Sequence, residues 1–103
     1  MIRHCVLVKF KSSVPPAARQ AIYDEIAALR QKLVDMGPVA AGANVSPEGL
    51  GKGFAGGFMI DFPGAAARDA YLVHPDHQAV AARLVAAVEG GIEGVLVFDL
   101  AIP

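Results

Sequence analysis

The chain has a single cysteine, Cys5. One thiol can form no internal disulfide and cannot hold an iron–sulfur cluster, and it fits a reducing cytoplasm. Long apolar runs are also missing, since none approaches the roughly 20 residues that cross a bilayer. The opening MIRHCVLVKFK has only a four-residue apolar run before Lys9 and no small-residue cleavage pattern, so no signal peptide is expected. Nor does charge of one sign prevail. Nine basic and ten acidic residues leave a net charge of −1 with no basic stripe, which argues against nucleic acid as a partner. The glycine-rich GLGKGFAGG lacks the Gly-Lys-Ser/Thr ending of a phosphate loop and leads into a strand, not a helix.

Apolar residues are plentiful: they make up 54% of the 103, against 18% charged. Residues 1–103 are expected to form one domain, because smaller pieces would not hold a core. A small monomer this apolar would struggle to hide its surface, so the composition points to an oligomer.

Residues 2–11 alternate as a strand. Ile2, His4, Val6, Val8 and Phe10 lie on one side; Arg3, Cys5, Leu7, Lys9 and Lys11 lie on the other. Ser-Ser-Val-Pro-Pro ends it and starts a helix through Met36, with Ile22, Ile26, Leu29 and Leu33 on one stripe beside Tyr23. Residues 39–46 read as a weak second strand. Residues 54–62 read as a third, with Phe54, Phe58, Ile60 and Phe62 on one face. A short helix to about Val73, a longer one from Pro75 to Glu89 and a strand over 94–102 complete the order β-α-β-β-α-β. That order is the α+β, ferredoxin-like arrangement, a four-stranded antiparallel sheet with its helices on one side.

The first and last strands are apolar on both faces, and the helices cover only one. The bare face calls for a second copy, which predicts a homodimer whose two sheets enclose a barrel-like interior. In AYLVHPDHQ, residues 70–78, Pro75 places His74 at a helix boundary and Asp76 in the first turn. His77 then centres an arc of Val80, Ala81, Leu84, Val85 and Val88, aimed inward. Burial and the helix dipole keep such an imidazole neutral, the form that accepts a proton. The alternative is a buried histidine satisfied by one hydrogen bond. His4 and Asp99 interrupt apolar faces on neighbouring strands, as a buried pair or, for Asp99, as a solvated strand end. A metal site built from His4, His74, His77 and Asp99 is weakly supported, because His74 faces away from His77; no metal or cofactor is expected.

The opening IRHCVLVKFK, the junction AYLVHPDHQAV and the closing VLVFDL together resemble the stress-responsive dimeric α/β-barrel (Dabb) family, over nearly the whole chain. The most specific piece is Tyr-x-x-His-Pro-x-His at 71–77. The resemblance implies a ferredoxin-like fold and dimerisation through the sheets. Most members have no assigned activity, but a plant polyketide cyclase among them performs an intramolecular aldol closure. By that likeness His77 is a general base, Tyr71 hydrogen-bonds an oxyanion and Asp99 orients the histidine. The expected ligand lining is His4, Val6, Val8, Tyr23, Phe58, Ile60, Tyr71, His77, Leu84 and Val97. Gly56 stands where the cyclase has another histidine, and Ile26 where it has a tyrosine, so the polyketide substrate does not transfer. The leading expectation is a cytoplasmic homodimer of uncharacterised role that binds a small apolar or carbonyl-containing ligand. The alternatives are a cofactor-independent cyclase, lyase or isomerase, and a structural dimer module with a filled interior.

Overall fold

A computed structural model describes residues 1–103. Its elements are β1 (Ile2–Val8), α1 (Pro16–Ala28), a 3-10 turn (Leu29–Gln31), β2 (Val39–Ala43), β3 (Gly56–Phe62), α2 (Ala65–Val73), α3 (Pro75–Ala87), a second 3-10 turn (Gly91–Gly94) and β4 (Val95–Ala101). The strands form one antiparallel sheet in the order β2-β3-β1-β4. This is the expected ferredoxin-like α+β fold, with β1 and β4 as neighbours.

Strand register separates two chemically different faces. His4, Val6 and Val8 pair with Asp99, Val97 and Val95 across β4 and with Ile60, Phe58 and Gly56 across β3. Direct partners share a face, so these residues lie together on the side the helices occupy, covered over β1 and β3 but with Val97 and Asp99 of the edge strand exposed. The core there unites Val6, Val8, Phe58, Ile60 and Phe62 with Ile22, Tyr23, Ile26 and Leu29 of the α1 region and Tyr71, Val80, Leu84 and Val88 from α2 and beyond. On the opposite face lie Cys5, Leu7, Met59, Leu96, Phe98 and Leu100. Among these, Met59, Leu96, Phe98 and Leu100 are exposed. A two-pronged Arg3–Asp61 ion pair, at 2.9 and 3.1 Å, flanks that face.

Several boundaries are shorter than the sequence pattern suggests. α1 ends at Ala28 and tightens into a 3-10 turn, yet Met36 is still buried through an irregular stretch. β3 starts at Gly56 because Lys52 and Gly53 take positive φ (56° and 87°) and the Phe54 N–H turns back to the Gly51 carbonyl. Phe54 therefore leaves the Phe58–Ile60–Phe62 face. β2 stops at Ala43, where Asn44 begins that connection. Val88 is extended and bridges Phe10, which ends α3 before Glu89.

Gly57 marks the tightest point of the sheet. A Cβ there would stand 2.4 Å from the Val6 carbonyl oxygen, inside any real contact distance, whereas one at Gly64 would meet nothing within 4 Å. Gly57→Ala is expected to lower stability by about 2 kcal/mol or more through backbone displacement. Gly64→Ala should stay within about 0.5 kcal/mol of the parent chain. Chemical denaturation of the two variants checks this contrast.

Candidate active site

Tyr71 is the pivot of the helix-covered face. It ends the buried stripe of α2, is 1% exposed, and packs against Phe62 (ring centroids 5.3 Å), His4 (5.7 Å) and His77 (4.3 Å). Two imidazoles thus flank one phenol ring. The three side chains line a cavity of about 190 Å³ whose other walls are apolar, from Val6, Phe58, Val80, Leu84 and Val85 among others. Exposed Val97 and Ile92 form part of its rim.

The histidine junction resolves into two jobs. His74 is extended (φ −64°, ψ 132°) and its Nδ1 accepts the Asp76 backbone N–H at 3.1 Å, so it caps α3. Pro75 occupies the first helical position, where its missing N–H costs nothing. Asp76 lies in the first turn and pairs with Lys32. His77, one residue on, turns inward with Val80, Ala81 and Leu84, as the helical spacing predicts. Its Nδ1 lies 3.1 Å from the Leu72 carbonyl oxygen. A carbonyl only accepts, so Nδ1 carries the proton and Nε2 keeps its lone pair.

His4, 4% exposed, is held by a second relay. Its Nδ1 donates to Asp99 Oδ1 at 2.7 Å, and Asp99 Oδ2 accepts from Arg68 Nη1, also at 2.7 Å. Burial alone would raise the Asp99 carboxyl, but the bonds from Arg68 and His4 outweigh it and hold the group below the usual carboxylate range. Asp99 is therefore an anion that fixes the His4 tautomer.

Two expectations need correction. Asp99 orients His4, not His77, because strand register sets it directly opposite His4 while a backbone carbonyl already occupies His77. The cavity that holds Tyr71 and His77 lies between the chain's own sheet and helices. Alternation along β1 sends His4, Val6 and Val8 toward the helices, and Cys5 and Leu7 toward the bare face. Of the expected lining, His4, Val6, Phe58, Tyr71, His77, Leu84 and Val97 meet at the cavity; Val8, Tyr23 and Ile60 do not. Those three belong to the buried core cluster of the same face. Arg68 went unnoticed in the sequence, although it precedes Tyr71 by three residues on α2 and so shares its helix face.

The electrostatics divide the roles. Burial pushes the Tyr71 phenol far above its ordinary value, which keeps it a hydrogen-bond donor. No side-chain nitrogen or oxygen is both buried and unpaired. The hydroxyl of Tyr71, which bonds no group of the chain, is therefore open to the cavity. Burial lowers the His77 imidazole, more than the Leu72 bond raises it, and the charges of His4 and His74 act in the same lowering direction. A neutral base and a neutral acid therefore face one small apolar space.

A family model described as "Stress responsive A/B Barrel Domain" matches residues 2–102. No curated protein matches the chain. Among solved structures, it is similar to a dimeric ferredoxin-like protein of unknown function from Jannaschia sp. CCS1, with 31% identity, 98% of each chain covered and a TM-score of 0.83. It is also similar to At3g17210 from Arabidopsis thaliana, with 26% identity, 100% of this chain and 96% of that one covered and a TM-score of 0.88. A hydroxynitrile lyase from Passiflora edulis, 20% identical over 99% of this chain and 93% of that one, shares the fold with a TM-score of 0.85.

His77 also sets a pH dependence. Its folded pKa lies below its ordinary value of 6.5, so between the two the unfolded chain binds more protons. The stability that neutral His77 contributes is complete above about pH 6.5 and is lost as pH falls through the lowered folded value. Melting the parent chain and His77→Gln at pH 7 and pH 5 should show a smaller acid loss in the variant. An NMR titration of the imidazole should give a midpoint below 6.5.

Proposed function

The chain belongs to the stress responsive A/B barrel family, and from that premise we propose that it is a homodimer binding a small apolar, carbonyl-containing molecule beside Tyr71 and His77. The observation that carries this reading is the cavity itself: about 190 Å³, apolar except for two imidazoles and one phenolic hydroxyl. Drug-sized pockets run from roughly 300 to 1,000 Å³, so the fitting ligand is smaller than those. Apolar walls favour a hydrocarbon body. The Tyr71 hydroxyl offers a donor to a carbonyl oxygen. The empty space also argues against an interior filled wholly by side chains.

Pairing is supported from the other face. Met59, Leu96, Phe98 and Leu100 leave an apolar patch on the sheet, and the Jannaschia protein is described as dimeric. A second copy laid on that patch would remove it from water at about 25 cal/mol per Å². It would leave the cavity on the helix side of each protomer. The reduced, buried Cys5 on the patch suits a reducing compartment.

A second reading is catalytic, and the free Nε2 of His77 favours it. In that reading Nε2 takes a proton from the carbon beside the carbonyl. The C–H bonding pair becomes the enolate, and Tyr71 donates its O–H to the oxygen where negative charge develops. The Passiflora protein's named activity belongs to a chain sharing the fold at 20% identity, so neither its substrate nor its residue roles are carried over.

Acetophenone tests both readings, because binding and α-proton exchange are separate signals. Binding should shift the NMR resonances of Tyr71, His77 and Leu84, and Tyr71→Phe should weaken it several-fold. If the chain also catalyses proton removal, deuterium enters the methyl group in D₂O faster than in buffer, and His77→Ala slows that by about 10²-fold or more. Absence of any shift would remove the binding reading; exchange at the buffer rate would remove the catalytic one. Light scattering should give a dimer for the parent chain and single chains for Phe98→Glu, which places a charge in the sheet patch.

A further inference from the structure

A second hollow lies on the helix-covered face at the other end of β1, and the chemistry of its walls differs. It has a volume of about 320 Å³ and is lined by Val8, Lys9, Phe10, Arg19, Tyr23 and Gly56, among others. The wall between it and the first cavity includes Tyr23 and Phe58, whose rings meet edge to face at 6.0 Å. Phe58 faces the first cavity and Tyr23 faces the second.

Tyr23 is more than nine-tenths buried (8% exposed), yet its hydroxyl bonds to nothing in the chain. Since no side-chain oxygen is both sealed and unpaired, the hydroxyl must reach the hollow. Gly56 makes room for it, as a Cβ at that position would stand 3.4 Å from the Tyr23 oxygen and 3.1 Å from the Gly42 carbonyl. Burial raises the Tyr23 phenol, so it stays a donor.

Two cations accompany it. Lys9 is half-buried and meets no carboxylate; its ammonium lies 4.6 Å over the Phe54 ring, beside Gly53. Arg19 is anchored, its Nε and Nη2 donating to the Val14 and Lys11 carbonyls at 2.8 and 3.2 Å. Its remaining N–H groups have no partner in the chain. Exposed Glu89 is the only carboxylate on the lining, so the wall carries two positive charges and one negative. A hydroxyl that opens on the hollow without an acceptor in the chain and a half-buried ammonium without a counter-ion would both be satisfied by an anionic oxygen.

We propose that this hollow is a second ligand site, which holds the carboxylate of a small organic monoacid between the Tyr23 hydroxyl and the Lys9 ammonium. The net single positive charge matches a monoanion, and Glu89 opposes the greater charge of a phosphate dianion. Val8, Phe10 and the Tyr23 ring supply apolar surface for the acid's body. The proposal is independent of the role of His77, because the two hollows are separate.

Benzoate and inorganic phosphate, titrated in parallel and followed by amide NMR, distinguish the outcomes. Benzoate should move the Gly53 and Gly56 amides while those of His77 and Leu84 stay in place. Tyr23→Phe and Lys9→Gln should each weaken it about tenfold, as expected for loss of a hydrogen bond to a charged group. Lys9→Gln stands alone if Tyr23→Phe fails to fold. Unchanged affinity in the variants, shifts confined to His77 and Leu84, or no shift at tens of millimolar would each overturn the site. Phosphate binding as tightly as benzoate would overturn the monoacid assignment.

Discussion

β1 is apolar on both faces, and the fold treats the two faces differently. Period-two alternation leaves no choice in the matter: Val6 and Val8 go one way, Cys5 and Leu7 the other. The chain's own helices serve the first face. They pack Ile26, Tyr71, Val80 and Leu84 onto it and close a core around them. The second face keeps Leu96, Phe98 and Leu100 exposed, and this exposed apolar surface is the physical ground on which the proposed pairing of copies rests. The same alternation decides where chemistry can occur, since His4 shares parity with Val6 and falls on the helix side.

A buried imidazole stays in an apolar layer only if its polar atoms are satisfied, and the partner of His4 is an edge-strand carboxylate. Here a chain of three residues does it: His4 to Asp99, Asp99 to Arg68. Arg68 sits on α2, so the relay ties the edge strand β4 to the helix that carries Tyr71. Removing Arg68 would leave Asp99 with a weaker counter-charge, and the His4 tautomer would lose part of its reason. The relay is thus structural in its bonds and chemical in its effect, because it decides which nitrogen of His4 remains unprotonated.

The order of elements, the sheet type and the two-faced strands were legible in the sequence because they rest on periodicity, which a single chain displays directly. Element ends were less so. β3 begins two residues late because Lys52 and Gly53 adopt positive φ, and a glycine-rich run does not announce which of its residues will do so. The inward turn of His77 was readable from helical spacing, and so was the capping position of His74. The pairing of Asp99 with His4 was legible too, from two polar residues interrupting apolar faces of neighbouring strands, and the register of β1 with β4 sets them directly opposite; only the family likeness points Asp99 at His77. Val8, Tyr23 and Ile60 share the helix-covered side but not the cavity, and Ile60 misses it although it stands directly opposite His4, a distinction that alternation cannot supply.

The histidine junction shows how a short sequence separates two identical side chains. Pro75 forbids a helical conformation at His74, so that residue is extended and its ring folds over the start of α3 to accept the Asp76 N–H. Three residues later the helix has turned, and His77 lies beneath it against Tyr71. Both rings use Nδ1 locally, but with opposite sense. His74 accepts through it and keeps its proton on Nε2; His77 donates through it to Leu72 and leaves Nε2 bare. A capping imidazole has therefore spent its lone pair on the backbone, while the inward one retains it. Only His77 combines a free lone pair, a lowered pKa and an adjacent hydrogen-bond donor, so any base chemistry at this junction must pass through it.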